Sequence, residues 1–100
     1  MNKIVAVFEA PGFTSQDYNA IVEELKAQGK FPNYECPSHV AFQKDKNWCV
    51  VDVWNSEEAF MDFGKNSLVP IFQKLGITPI QPQVYALHNF YVAAEVPTSA

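Results

Sequence analysis

Two stretches of this chain are apolar on both sides of a strand. Ile4 to Phe8 reads IVAVF with no polar residue, and Trp48 to Trp54 reads WCVVDVW with Asp52 as its one exception. Successive side chains of a strand point to opposite faces, so each run needs cover on both. An antiparallel sheet with helices on one face covers only one of them. Burying an aliphatic or aromatic side chain is worth about 1.5–3 kcal/mol. A whole wet face of them would exceed what a small domain can spare. A second copy, sheet against sheet about a two-fold axis, is the simplest second cover, so the sequence predicts a homodimer with a shared interior between the sheets.

The remaining elements follow from local signals. Pro11-Gly12 ends the first run. Thr14 stands as a helix N-cap with Asp17 three positions on, and Phe13 and Tyr18 are placed to flank the cap as a hydrophobic staple. Tyr18, Ile21, Val22 and Leu25 then fall on one helical face, and Gly29 stops the helix, which is predicted over about 15–28. Residues 30–37, KFPNYECP, form a turn-rich connection. A hairpin over about 38–43 and 48–54 turns through Lys44–Asn47. Ser56 caps a second helix with Glu57 and Glu58 in its first turn. GKNS at 64–67 breaks or kinks that helix, Ser67 recaps a further turn or two, and Gly76 ends it. The last strand is predicted over about 83–91, with a loose tail at 93–100. The order β-α-β-β-α-β defines an α+β, ferredoxin-like subunit, a four-stranded antiparallel sheet with both helices on one face, in a single domain over 1–100.

The hairpin register carries the chemistry. With Gln43 opposite Trp48, Ala41 lies opposite Val50 and His39 opposite Asp52. His39, Ala41, Gln43, Trp48, Val50, Asp52 and Trp54 then share one face, and Val40, Phe42, Cys49, Val51 and Val53 the other. The second, purely apolar set fits a helix-packed core; the first gathers the polar and aromatic residues. Asp52 is tolerated in its apolar strand because His39 lies across from it, a pairing that a one-residue slip would destroy. Such a pair can act as a general base oriented by a carboxylate. It can equally do no more than satisfy two buried polar groups. His39 and Asp52 are the candidate catalytic residues. Trp54, His88 and Tyr18 are candidate substrate-binding residues, each with packing as the plainer alternative.

Composition narrows the partners. The formal charge is −4, and the 7 basic residues are all lysine. Nucleic-acid binding asks for a basic face and favours arginine, so it is not expected, and neither is an anionic membrane surface. No apolar run is long enough to cross a bilayer, and Glu9 and Pro11 interrupt what would be a signal peptide, which predicts a soluble, cytoplasmic protein. Cys36 and Cys49 lack CxxC spacing, and in the predicted register they lie roughly 20 Å apart along the hairpin, against about 7 Å for bridged Cα atoms. Free thiols are expected. No metal motif, glycine-rich phosphate loop, GxSxG or HExxH is present.

The order of elements with PSHVAF, VVDVWNSEEAFMDF and VPIFQKLG resembles the dimeric α/β-barrel superfamily, which holds antibiotic-biosynthesis monooxygenase-like and stress-responsive barrel domains. The likeness spans about 3–91 and is clearest where a strand runs into Trp-Asn-Ser-Glu-Glu and an aromatic helix. It implies a two-fold dimer and a cavity between sheet and helices for a small hydrophobic or aromatic molecule. The function so implied is a cofactor-independent oxygenase, cyclase or isomerase, with a non-catalytic dimeric ligand-binding or structural module as the alternative. One branch of the superfamily degrades haem with an Asn on the first strand and a Trp and a His on the second helix. Here IVAVFE has no Asn, Phe63 stands where the Trp belongs, and no His occurs between 56 and 76, so no cofactor is expected.

Overall fold

The structure, a computed structural model, describes residues 2–93. Strand β1 (Ile4–Pro11) leads into helix α1 (Ser15–Ala27), then the hairpin of β2 (Ser38–Lys44) and β3 (Asn47–Trp54). Helix α2 (Glu57–Phe63) continues through a π-helical segment (Gly64–Leu68) into α3 (Val69–Leu75), and β4 (Gln83–Ala86) closes the sheet. The order across the sheet is β2-β3-β1-β4, and every neighbouring pair is antiparallel. This is the ferredoxin-like βαββαβ arrangement.

The predicted caps at Thr14 and Ser56 form. Thr14 accepts from the Asp17 amide while the Asp17 carboxylate accepts from the Thr14 amide, a reciprocal capping box. Ser56 caps α2 by accepting from the Ala59 amide at 3.1 Å. Tyr18 lies against the sheet, its ring over His39 and Trp48.

The second helical stretch is not broken at 64–67. Its backbone stays right-handed throughout, and the Val69 amide donates to the Gly64 carbonyl, five residues back. Pro70 brings no N–H, and its ring crowds the preceding turn of an α-helix; a π segment just before it relieves both demands. Ser67 is buried in that segment and does not recap the chain. The expected last strand is also shorter. β4 runs antiparallel to β1, so residues 83–86 pair with Val7 back to Ile4, and one further bond joins the Leu87 amide to the Lys3 carbonyl. Beyond that point β1 offers no partner. The predicted tail falls almost wholly outside the described residues.

The hairpin register is the predicted one. A two-residue turn, with Asp45 at φ 53°, sets Gln43 opposite Trp48, Ala41 opposite Val50 and His39 opposite Asp52. The assignment of faces is reversed, however. Trp54 packs on Phe60 and Phe63, with ring centroids 5.7 and 5.0 Å apart, so the face of His39, Asp52 and Trp54 is the one under the helices. Ile4 and Ala6 join Trp54 and Phe60 in this core. A second cluster of Ile21, Leu25, Ile71 and Phe72 locks α1 against α3, and Phe63 packs on both clusters.

The all-apolar set faces away from the helices. Val40 is 52% exposed, Phe42 43% and Tyr85 53%. Cross-strand pairing lines up Val40, Val51 and Val7 in one row, and Val53, Val5 and Tyr85 in another. The purity of this set does not mark it as helix-packed. Broad aromatic rings on α2 need the large, uneven surface that Trp54 supplies, whereas a flat valine face suits a flat partner.

Thr14→Ala removes one half of the capping box. It is expected to lower stability by about 1 kcal/mol, seen as a lower urea midpoint with an unchanged denaturant slope; an unchanged midpoint would mean that the cap contributes nothing.

Candidate functional site

The site starts from Asp52. Its position in β3 faces the helices, and the residue is 6% exposed. A carboxylate there must be met by donors. Two arrive from within the hairpin. His39, across the strand pair, brings Nδ1 to 2.6 Å from Oδ1, and Trp54, two residues on, donates its indole N–H to Oδ2 at 3.2 Å. Both oxygens of an acceptor-only group are thereby used. With Asp52 accepting, His39 carries its hydrogen on Nδ1, which leaves Nε2 as an acceptor. The Tyr18 hydroxyl, from the first turns of α1, lies 2.6 Å from that Nε2 and donates to it. The result is a chain of hydrogen bonds from Tyr18 through His39 to Asp52.

Packing fixes the imidazole from both sides. The Tyr18 ring stacks on it with centroids 5.9 Å apart, and Phe31 meets it edge-on at 5.6 Å. The His39 side chain is 28% exposed, so the pair sits at the rim of the interior rather than deep within it. A cavity of about 130 Å³ opens beside the chain of bonds. Tyr18, Phe31, Cys36, His39, Asp52 and Trp54 contribute to its walls, with Phe8 at its far end. A larger depression of about 570 Å³ lies outside this, between the 30–35 loop and α2, but it is a polar groove with Glu35, Glu58 and Asp62 on its walls and does not reach His39.

Burial, and then the negative charge of Asp52, push the Tyr18 phenol above its ordinary value. It therefore stays a hydrogen-bond donor across the physiological range. The same two causes, burial first, push the Cys36 thiol up to about 12, and its S–H donates to the Ser38 carbonyl at 3.2 Å. Cys36 is thus a protonated wall of the cavity, not a nucleophile. Both cysteines are free, as the spacing predicted.

The sequence-predicted residues divide as follows. His39, Asp52, Trp54 and Tyr18 come together at one cavity. His88 does not: it lies beyond Ala86, the last residue of β4, is exposed, and lines no part of the cavity. The expectation that it sits in a strand fails for the same reason that β4 stops early. Phe31 and Cys36 were not singled out by chemistry, since both belong to a turn-rich connection; an aromatic and a thiol among turn residues are the signal that this loop folds inward. Tyr18, a candidate substrate-binding residue with packing as the plainer alternative, packs its ring on His39 and brings its hydroxyl in as the third member of the chain. Among the described residues no group of three or more His, Cys, Asp or Glu side chains is placed to hold a metal ion, and no helix is long and apolar enough to cross a membrane.

No family model matches the chain, and no curated protein matches it. Among solved structures it is similar to one described as "Crystal structure of a conserved protein from Methanosarcina mazei Go1", at 13% sequence identity and a TM-score of 0.58. The match covers 85% of this chain and 92% of that one. At such identity the likeness supports the ferredoxin-like fold and nothing further.

The raised thiol has a consequence for stability. Below pH 9.0, its ordinary value, both folded and unfolded chains keep the Cys36 proton. Between there and about 12 only the unfolded chain gives it up, so stability falls as pH rises through this window. The urea midpoint is expected to drop between pH 8 and pH 10.5, and to drop less in Cys36→Ala; equal pH dependence in the two proteins would contradict the assignment.

Proposed function

We propose that the protein is a homodimeric, cofactor-independent enzyme that moves a proton on a small aromatic or hydrophobic molecule held between sheet and helices. The observation that carries this reading is the Tyr18–His39–Asp52 chain at the wall of an apolar cavity. Oxygenase, cyclase and isomerase chemistry on aromatic carbonyl compounds can each begin with removal of an activated C–H proton. His39 Nε2 would take that proton once its Tyr18 donor turns to the substrate. Asp52 holds the imidazole in the tautomer that leaves Nε2 free to accept, and stabilises the imidazolium that forms. Tyr18, kept protonated, would donate its hydrogen bond to the oxygen on which negative charge develops. Trp54 would serve twice, as an apolar wall and as the second donor to Asp52.

The test is exchange of the α-protons of 2-tetralone in D₂O, followed by proton NMR. The protein should accelerate exchange over buffer. His39→Ala should abolish the acceleration, and Tyr18→Phe should reduce it about 10²-fold, the scale of one lost oxyanion donor. Wild-type exchange at the buffer rate, or full activity in His39→Ala, would overturn the reading; binding without exchange would point to a ligand-binding module.

The proposed dimer rests on the exposed valine face. Val40, Phe42 and Tyr85 are exposed on it and Val5, Val7 and Val51 partly so, around a buried Val53, an apolar surface of the kind that marks an interface. The surface is apolar at its centre, with the Glu9–Lys44 ion pair at one end, and a second copy would meet it with the same apolar centre. Sedimentation velocity should give a dimer for the wild type and a monomer for Phe42→Glu, whose half-exposed side chain can change without disturbing the core. A monomeric wild type, or an unaltered dimer in the variant, would refute this face as the contact.

A further inference from the structure

The cavity beside His39 is too small to be the whole of a ligand site. Its volume of about 130 Å³ corresponds to about four waters at ~30 Å³ each. Small-molecule sites run from roughly 300 to 1,000 Å³. A second cavity, of about 400 Å³, lies on the far side of Phe8 and Leu68, between the α2–π stretch and the loop before β4. Phe8 and Leu68 line both spaces. The second has walls of Phe60, Val69, Phe72 and Ile80, and Lys65 at its rim is its one charged residue. Met61 and Val69, 59% and 37% exposed, stand at its mouth.

The two spaces divide the work of binding. Apolar surface predominates in both, and the hydrogen-bonding groups of Tyr18, His39 and Asp52 converge on the inner one. Leu68 belongs to the π segment, where one residue more per turn shifts the following side chains relative to α2. Phe8 packs edge-on against Phe60 with ring centroids 6.1 Å apart, so the partition is an aromatic ring from the sheet on one side and Leu68 from the helical stretch on the other.

We infer that the two cavities are one bipartite site, and that the ligand is an elongated amphiphile, with a single hydroxyl or carbonyl oxygen at the inner end and an apolar tail in the outer chamber. Phe8 and Leu68 form the waist through which the ligand passes. The inference rests on the proposed proton-transfer reading for its inner end, and extends it to the class of substrate. It accounts for a reactive chain set beside so little room: the inner space needs to admit only the reacting end.

Calorimetric titration of the full-length protein with phenol, 4-ethylphenol, 4-butylphenol and 4-hexylphenol tests it. Each added methylene buried in the outer chamber should tighten binding by roughly fourfold. Leu68→Trp, which fills the waist, should flatten that progression. Val69→Trp, at the exposed mouth where folding is not at stake, should flatten it for the longest tails. Affinity independent of tail length in the wild type overturns the bipartite site, as does a progression that both variants leave intact, or a failure of every member to bind. These outcomes are separable from failure of the catalytic reading. Lost chain-length dependence with tetralone exchange intact removes only the outer chamber, whereas a steep progression without exchange leaves a bipartite binding site that is no enzyme.

Discussion

A single buried carboxylate organises this molecule. Asp52 sits in the middle of a strand that is otherwise apolar, on the face that the helices cover. Leaving it unpaired there would cost several kcal/mol. The hairpin register that brings His39 across from it, and the short step along β3 that brings the Trp54 indole, are therefore constraints on the fold as much as features of a site. Once Asp52 holds the Nδ1 hydrogen, the other imidazole nitrogen is committed to accepting, and Tyr18 is the donor that α1 delivers. The fold and the candidate site thus share one set of bonds.

The same carboxylate shows what a sequence can and cannot reveal. The register was readable because alternation and a two-residue turn leave little freedom between β2 and β3. The capping box was readable because both partners lie within four residues. Which face the helices would take was not, since both faces are apolar and the deciding feature, the fit of Trp54 to Phe60 and Phe63, involves side chains from separate elements. The hydroxyl of Tyr18 reaches His39 from 21 residues away, across a loop whose path nothing in the local pattern dictates. The early end of β4 depends on where β1 begins, at the other end of the chain. Errors of reading therefore fall where elements meet, and successes where a few neighbouring residues decide.

The reversal of faces makes the architecture more coherent. Asp52 and Trp54 belong to the interior under the helices, and His39 and Tyr18 stand at its rim beside the 30–36 loop. The valine face carries no helix, and the proposed dimer would cover it. A chain of this size gains little from a single core, and a dimer through that face would add a second. Under this arrangement the site and the interface lie on opposite sides of one sheet, with Asp52 and Val51 as neighbours in β3 pointing to each.

The imidazole nitrogen shifts of His39 bear most directly on the chain of bonds. Two histidines are present, so a long-range proton–nitrogen correlation spectrum, assigned with His88→Gln, isolates the one signal that matters. The structure predicts an Nδ1 that carries the hydrogen bonded to Asp52 and an Nε2 that accepts from Tyr18, with the Nε2 shift altered in Tyr18→Phe. A ring protonated on Nε2, or one averaging freely between tautomers as an exposed histidine does, would contradict it.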